Sequence, residues 1–312
     1  MTLLLTRSDI VGLLDVPAVL RTMRAGFGAI QEVEPQRIRT DLAGPGTATA
    51  LLPGSIPGIP AYTVKVNAKF PAATPALRGV VCLHDLTDGT LLAVLDSATI
   101  TAWRTGLAAA LATDVLAAPG ARTLGVIGTG AQAAMVVRGL TSLRPIEQLV
   151  GYDVDRPRAQ DFLAAQGIAG SVADGPSDVA ARAEIVALAT WSREPLLTAA
   201  DVRPGRHFTT LGADEPGKVE LGADLLGGAR VVVDDARLAV AMGAVGNVGL
   251  GAGAIAATLG EVLTGARAGR QSAGQVTVYA PVGLPWQDLA ISWPVYQAAR
   301  ATGVGRTIDF LS

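Results

Sequence analysis

One segment constrains this chain more than any other. Thr123–Ile127 is an uninterrupted apolar run of strand length, and Gly128-Thr129-Gly130-Ala131-Gln132-Ala133 follows it directly. Ala131–Leu140 then reads as a helix, and Gln148–Tyr152 as a second buried strand closed by Asp153. In a strand–turn–helix of this kind the first glycine permits the tight turn and the second clears space for an approaching pyrophosphate. The third small residue, here Ala133, lets the helix lie close on the strand. The free N–H groups and positive dipole end of the helix face the anion. A bare glycine turn could occur in an unrelated α/β protein, with Asp153 as a helix cap; the flanking strand, helix and second strand favour a dinucleotide site. Asp153 stands where a carboxylate accepts hydrogen bonds from a ribose 2′-OH and repels a 2′-phosphate, so NAD is expected over NADP. Arg156 and Arg158 are the neighbours that could alter that preference. The cofactor-binding candidates are Gly128, Thr129, Gly130, Ala131, Gln132, Asp153 and Thr190.

The rest of the chain changes rhythm at Ala118-Pro119-Gly120. Before it, Ser8-Asp9 and Asp15 look like helix starts, and the spacing of Val19, Leu20, Met23, Phe27 and Ile30 predicts a helix over Val16–Val33, ended by Glu34-Pro35. Arg37–Ala43, Ala48–Leu52, Tyr62–Asn67, Val80–His84 and Thr90–Leu95 read as short strands, with Asp88-Gly89 as a hairpin turn. They form a mainly antiparallel sheet, followed by an alanine-rich helix over Thr99–Leu116. After the break, strands and helices alternate: helices at Pro157–Gln166 and Ser177–Ala183, strands at Ile185–Ala189, His207–Leu211 and Val231–Asp234. That alternation implies a parallel sheet covered by helices. In the tail, Pro281–Ser312, a further helix is expected around Trp293–Arg300.

Composition excludes several classes. Half of the 312 residues are hydrophobic, 17% are charged and the net charge is −2. This argues against disorder and against a broad nucleic-acid footprint. One cysteine, Cys82, and two histidines, His84 and His207, leave no disulfide framework and no expected metal site. Met1–Ile10 has no leader pattern, Leu42–Val64 is broken by four prolines, and Leu238–Gly260 is too rich in glycine for a membrane span. The reading is a soluble, cytoplasmic protein with no nucleic-acid or membrane partner.

Several stretches in order resemble the ornithine cyclodeaminase/μ-crystallin family. They are Lys65-Val66-Asn67 with Phe70-Pro71, Asp96 with Thr101–Thr105, the glycine turn, Leu211–Lys218 with Glu220, and Gly283-Leu284 with Gln287-Asp288. The resemblance implies an α/β fold in which a Rossmann-type doubly wound NAD-binding domain is inserted in an α+β substrate and dimerisation domain. It places residues 119–280 in the first and residues 1–118 plus 281–312 in the second. It implies a homodimer formed through the N-terminal sheet. Arg39, Lys65 and Arg104 would hold the α-carboxylate of an amino or imino acid, with Arg37 as the rival of Arg39. Guanidinium forks and a lysine point charge suit that task. Asp214 would transfer the proton, with Lys65 also counted as catalytic; Lys218 and Glu220 are read as structural. Hydride leaves Cα only as nitrogen loses positive charge, which calls for a base nearby.

The implied activity is NAD-dependent oxidoreduction at the C–N bond of an L-amino acid or cyclic imino acid, with a deaminating cyclisation or a non-enzymatic nucleotide binder as alternatives. Two positions depart from the family pattern. Ala50 stands where a glutamate or arginine would handle an amine or water, with Arg78 as a candidate replacement. Pro285-Trp286 is bulkier than usual and predicts an altered, more apolar pocket. Trp103, beside Arg104, is read as packing.

Overall fold

The structure is a computed structural model, and it describes residues 1–29 and 33–312. The chain begins with β1 (Thr2–Leu5), α1 (Arg7–Leu13) and α2 (Val16–Gly28). Then come β2 (Gln36–Asp41), β3 (Thr47–Gly54), β4 (Ala61–Lys69), β5 (Leu77–Asp85), β6 (Leu91–Asp96) and the long α3 (Ser97–Leu116). The alternating part holds β7 (Thr123–Ile127), α4 (Ala131–Leu143), β8 (Gln148–Tyr152), α5 (Arg156–Ala164), β9 (Ala169–Val172), α6 (Pro176–Arg182), β10 (Ile185–Leu188) and β11 (His207–Thr210). It continues through α7 (Ala223–Gly228), β12 (Arg230–Val233), α8 (Ala236–Ala241), α9 (Ala244–Asn247), β13 (Ile255–Thr258), α10 (Leu259–Leu263) and β14 (Thr277–Tyr279). The chain closes with α11 (Pro285–Thr302) and β15 (Arg306–Ile308).

Two compact units result: Met1–Arg104 with Leu284–Ser312, and Thr105–Gly283. The first boundary falls inside α3 rather than at Pro119, where the sequence rhythm changes. The reason is packing: a Cβ on Gly139 of α4 would touch Ala110 and Leu107, so the later turns of α3 belong to the α4 face of the second unit. The second boundary falls after Gly283, three residues beyond the expected 280.

In the first unit, among the described residues, seven strands lie in the order β15-β1-β6-β5-β4-β3-β2. β2 to β6 form an antiparallel meander, and β1 runs parallel to β6. The strand β1 and its partner β15 are too short to show alternation and were not legible as strands. Helix α1 starts two residues earlier than expected: Thr6 is its cap, in a reciprocal pair with Asp9, and Ser8 lies in the first turn. Asp15 caps α2 as its sequence suggests, accepting from the Ala18 N–H at 2.8 Å. Helix α2 ends at Gly28, with the Ala29 N–H bonded to the Gly26 carbonyl, short of Val33; Ile30 lies outside the described residues. Helix α11 is longer than Trp293–Arg300 and buries residues along most of its length.

In the second unit eight strands, all parallel, lie in the order β13-β12-β14-β11-β10-β7-β8-β9. This is a doubly wound, Rossmann-type sheet. Connections leave β7 for β8 on one side, while β10 pairs on its other side. The carboxyl end of β7 is therefore the switch point where such sheets bind ligands. Apolar layers cover both faces, one built around Val186, Phe208 and Val278, the other around Val126, Val136 and Leu140.

Candidate active site

Period-two alternation sorts the first unit's sheet into two faces. Arg37, Leu51, Lys65 and Val81 lie opposite one another across β2 to β5, and all are buried. The next row, Ile38, Ala50, Val66 and Val80, points the other way; Ile38, Val66 and Val80 are exposed.

The buried row holds a cluster of ionisable groups. Lys65 Nζ donates to Asp288 Oδ1 of α11 at 2.7 Å, and each side chain is only 1% exposed. The guanidinium of Arg104, from α3, lies 3.5 Å from the same carboxylate oxygen and donates to Gln287 Oε1 at 3.0 Å. Thr101 Oγ1 stands 3.4 Å from Lys65 Nζ and accepts from the Asn67 amide. Burial above all, then the charge of Arg104 and finally that of Arg37, pull the Lys65 amine down to about 7, against the raising effect of Asp288. Buried ion pairs rarely stabilise a fold beyond what apolar residues of similar volume would. A lysine held near its point of discharge beside two guanidiniums instead suits a site that receives an anion.

The structure thus brings Lys65 and Arg104 together. Arg39 lies on the same face of β2 as Arg37, paired with Asp41 at 2.6 Å. Arg37, in the Lys65 row, is the one whose charge bears on Lys65. Asp288 belongs to the Gln287-Asp288 pair of the family pattern, and its position opposite Lys65 is what the sequence does not disclose.

Two sequence expectations change. Ala50 and Arg78 both lie on the face opposite Lys65: Ala50 in the exposed row, and Arg78 beside Val80, bonded to the Thr74 carbonyl. The absence of a polar residue at 50 therefore removes nothing from the Lys65 cluster, and Arg78 does not replace it there. Trp286 does not enlarge an apolar pocket. It is buried edge-to-face against Phe27, with ring centroids 4.9 Å apart. A Cβ on Gly26 would lie 2.3 Å from its ring, so the glycine makes the room that the indole fills. Trp103 is buried, as a packing residue would be.

In the second unit the glycine turn sits at the end of β7. Gly128 has φ +85°, and a Cβ there would lie 2.6 Å from the Ala189 carbonyl oxygen, so only glycine fits. At Gly130 a Cβ would meet only Arg158, at 3.5 Å. Gly130 caps α4 with no side-chain bond, which leaves the helix start, Ala131 and Gln132, open to an anion. Ala133 is fully buried under the sheet. Asp153 accepts from the Thr129 N–H at 2.8 Å, from its hydroxyl at 2.9 Å and from the Asp155 N–H at 3.1 Å. Burial pushes its carboxyl up, but these donors and Arg158 outweigh that and hold it below the usual carboxylate range. Asp153 is therefore ionised, and it braces the turn as well as standing at the end of β8.

Thr190, just past β10, donates both its N–H and its hydroxyl to Glu220, each at 2.7 Å. Beyond β11, Asp214 Oδ1 lies 3.1 Å from Lys218 Nζ, which also lies 3.6 Å from Glu215 and over the ring of half-exposed Trp191. The second unit thus gathers Thr190 and Asp214 at the carboxyl ends of neighbouring strands. Among the described residues no group of histidine, cysteine and carboxylate side chains could hold a metal ion. No described helix is long and apolar enough to cross a membrane.

Comparison with known proteins adds the following. The sequence profile of the ornithine cyclodeaminase/mu-crystallin family matches residues 2–303. The chain is 35% identical to alanine dehydrogenase of Archaeoglobus fulgidus over 244 residues, 76% of this chain and 75% of that protein. Among solved structures it is similar to an archaeal alanine dehydrogenase dimer with bound NAD, at 29% identity and a TM-score of 0.92 over 99% of both chains. It is also similar to Δ1-pyrroline-2-carboxylate reductase of Thermococcus litoralis in complex with NADH and L-proline. There the identity is 25% and the TM-score 0.91, over 98% of this chain and 100% of that one.

Proposed function

The chain belongs to the ornithine cyclodeaminase/mu-crystallin family, and from that premise we propose that it is an NAD-dependent oxidoreductase acting on the C–N bond of an L-amino acid or a cyclic imino acid. The observation that carries the substrate class is the buried Lys65–Asp288–Arg104 cluster. The similar proteins carry the reaction class: one is an alanine dehydrogenase, another reduces a cyclic imine next to a carboxylate and was solved with NADH and L-proline.

The residues present fit the dinucleotide. A Cβ at Gly128 is sterically forbidden, Gly130 is open, and α4 begins without a side-chain cap. Gly128–Gln132 would hold the pyrophosphate, Asp153 a ribose hydroxyl, and Thr190 the far end of the cofactor. When bound, the nicotinamide accepts or returns hydride at the substrate Cα. Lys65 and Arg104, with Arg37 or Arg39, grip the α-carboxylate and so orient Cα. Asp288 keeps the buried Lys65 ammonium paired. Asp214 takes the proton from the amine during oxidation and gives it back to nitrogen during reduction.

The test is a panel of L-amino acids and cyclic imines with NAD or NADH, following nicotinamide absorbance and released ammonia together. Net cofactor turnover is expected. Ammonia without net turnover would replace this reading by a deaminating cyclisation. Asp214→Asn is expected to abolish turnover while NADH still binds; surviving activity would remove Asp214 from the mechanism.

We also propose a homodimer through the outer face of the first unit's sheet. A similar alanine dehydrogenase is a dimer, and here Ile38, Val66 and Val80 leave an apolar row exposed. Sedimentation should give a dimer mass, and Val66→Asp should give a monomer.

A further inference from the structure

Glu220 is fully buried, and its carboxylate takes four hydrogen bonds. Oε1 accepts from the Thr190 N–H and hydroxyl at 2.7 Å each. Oε2 accepts from the Thr210 hydroxyl at 2.7 Å and from the Gly212 N–H at 2.8 Å. Thr190 follows β10, while Thr210 ends β11 and Gly212 follows it; these two strands are adjacent and parallel. One carboxylate therefore joins the exits of two neighbouring strands, on the edge where such sheets bind ligands. The exits also touch: a Cβ on Gly212 would lie 2.2 Å from the Thr190 carbonyl oxygen and 2.4 Å from Glu220 Oε1.

The Gly212 bond does more than join strands. It closes the loop that runs from Gly212 to Glu220, and Asp214 and Lys218 both lie inside that loop, 3.1 Å apart. Asn247 supports the loop from outside, with its amide donating to the Glu215 and Lys218 carbonyls at 2.8 Å each. The Glu220 side chain bonds both this loop and Thr190, and the Val219 N–H adds a bond to the Ser192 carbonyl at 3.0 Å.

We propose that Glu220 is a positioning residue for proton transfer: its carboxylate fixes the Gly212–Glu220 loop against Thr190 and thereby sets where Asp214 presents its proton. The inference rests on the reading of Asp214 as the proton relay. Glutamine cannot substitute. All four partners point donors at the carboxylate, and two of them are backbone N–H groups that cannot turn away. An amide NH2 on the Thr190 side would meet the Thr190 N–H; on the other side it would meet the Gly212 N–H. Burial pushes the Glu220 carboxyl up, and its four donors pull it back without cancelling the rise.

Glu220→Gln and Thr210→Val separate this role from simple structural support. The first forces a donor against a backbone N–H; the second removes one hydroxyl and leaves the other three bonds. Folded Glu220→Gln protein should lose about 10- to 100-fold in kcat, the scale of a reacting group misplaced by an ångström. The limb of its kcat–pH profile that reports proton transfer should shift. Thr210→Val should move both in the same direction by less. If either variant lowers only the melting temperature, with kcat and the pH limb at 20 °C as in the wild type, Glu220 merely supports the fold and the proposal is overturned. If Glu220→Gln does not fold, Thr210→Val decides alone on the same two readouts. The outcomes stay distinct from failure of the Asp214 reading, because Asp214→Asn would then keep its turnover.

Discussion

The two units of this protein present polar groups by opposite means, each suited to the anion proposed for it. In the first, charged side chains are taken out of water and set on the inner face of a sheet, with Asp288 1% exposed and 2.7 Å from Lys65. In the second, the proposed site is backbone: a glycine at φ +85°, an open position at Gly130 and a helix start without a side-chain cap. The cation that a Cβ at Gly130 would meet, Arg158, has a side chain 58% exposed. The first site is governed by charge and by what burial costs it. The second is governed by volume, since its N–H groups carry no titratable proton. A carboxylate on Cα must be oriented to within a fraction of an ångström for hydride transfer, which fixed ionic partners achieve. A pyrophosphate needs only a smooth, close approach, which the absence of side chains provides.

That contrast can be broken by crossed substitutions. Lys65→Met should lower kcat/KM about 1,000-fold, the scale of losing a buried charge-assisted contact together with orientation. It should leave the NADH dissociation constant within twofold. Gly128→Ala should do the reverse: NADH affinity falls about tenfold or more, because a Cβ drives the turn off the Ala189 carbonyl. Its melting transition should also drop by the equivalent of about 1–3 kcal/mol of backbone strain. Equal effects of both variants on both constants, read by stopped-flow NADH binding and steady-state kinetics, would show that the two sites are not independent.

A smaller effect sharpens the same contrast. Lys65 is held at about 7, below its ordinary 10.5. Its charge, and with it the grip on a carboxylate, is present below about pH 7 and lost as pH rises through it. KM for the amino or imino acid should therefore rise between pH 6 and 9 while NADH affinity stays flat. A KM that does not change over that range would mean that Lys65 stays charged or does not touch the carboxylate. The stability sign is opposite: between about 7 and 10.5 the unfolded chain binds the proton that the folded one releases, so folding gains with rising pH.

The glycine turn was legible because everything that defines it is contiguous: strand, turn, helix and second strand lie within Thr123–Asp153. The carboxylate cluster was only half legible. Lys65 and Arg104 are visible as cations in apolar surroundings, whereas Asp288 lies 223 residues from Lys65 in sequence, and no local pattern predicts that they meet. Arg37 and Arg39 share a face of β2, so alternation alone cannot choose between them. The expectation at Ala50 rested on the family pattern, which does not show that a shift of one residue from Leu51 moves the side chain to the other side of the sheet. Glu220 looked structural because a sequence shows a carboxylate but not its four donors.

The indole of Trp286 occupies the space that a Cβ at Gly26 would need, and this gives the two positions a shared history. A change at either one costs stability. An alanine arriving first at 26 meets the ring 2.3 Å away. A smaller residue arriving first at 286 leaves a void costing about 3–5 kcal/mol, which a later side chain at 26 can partly refill. Trp286→Leu followed by Gly26→Ala should therefore cost less stability than the two changes made in the opposite order cost at their first step.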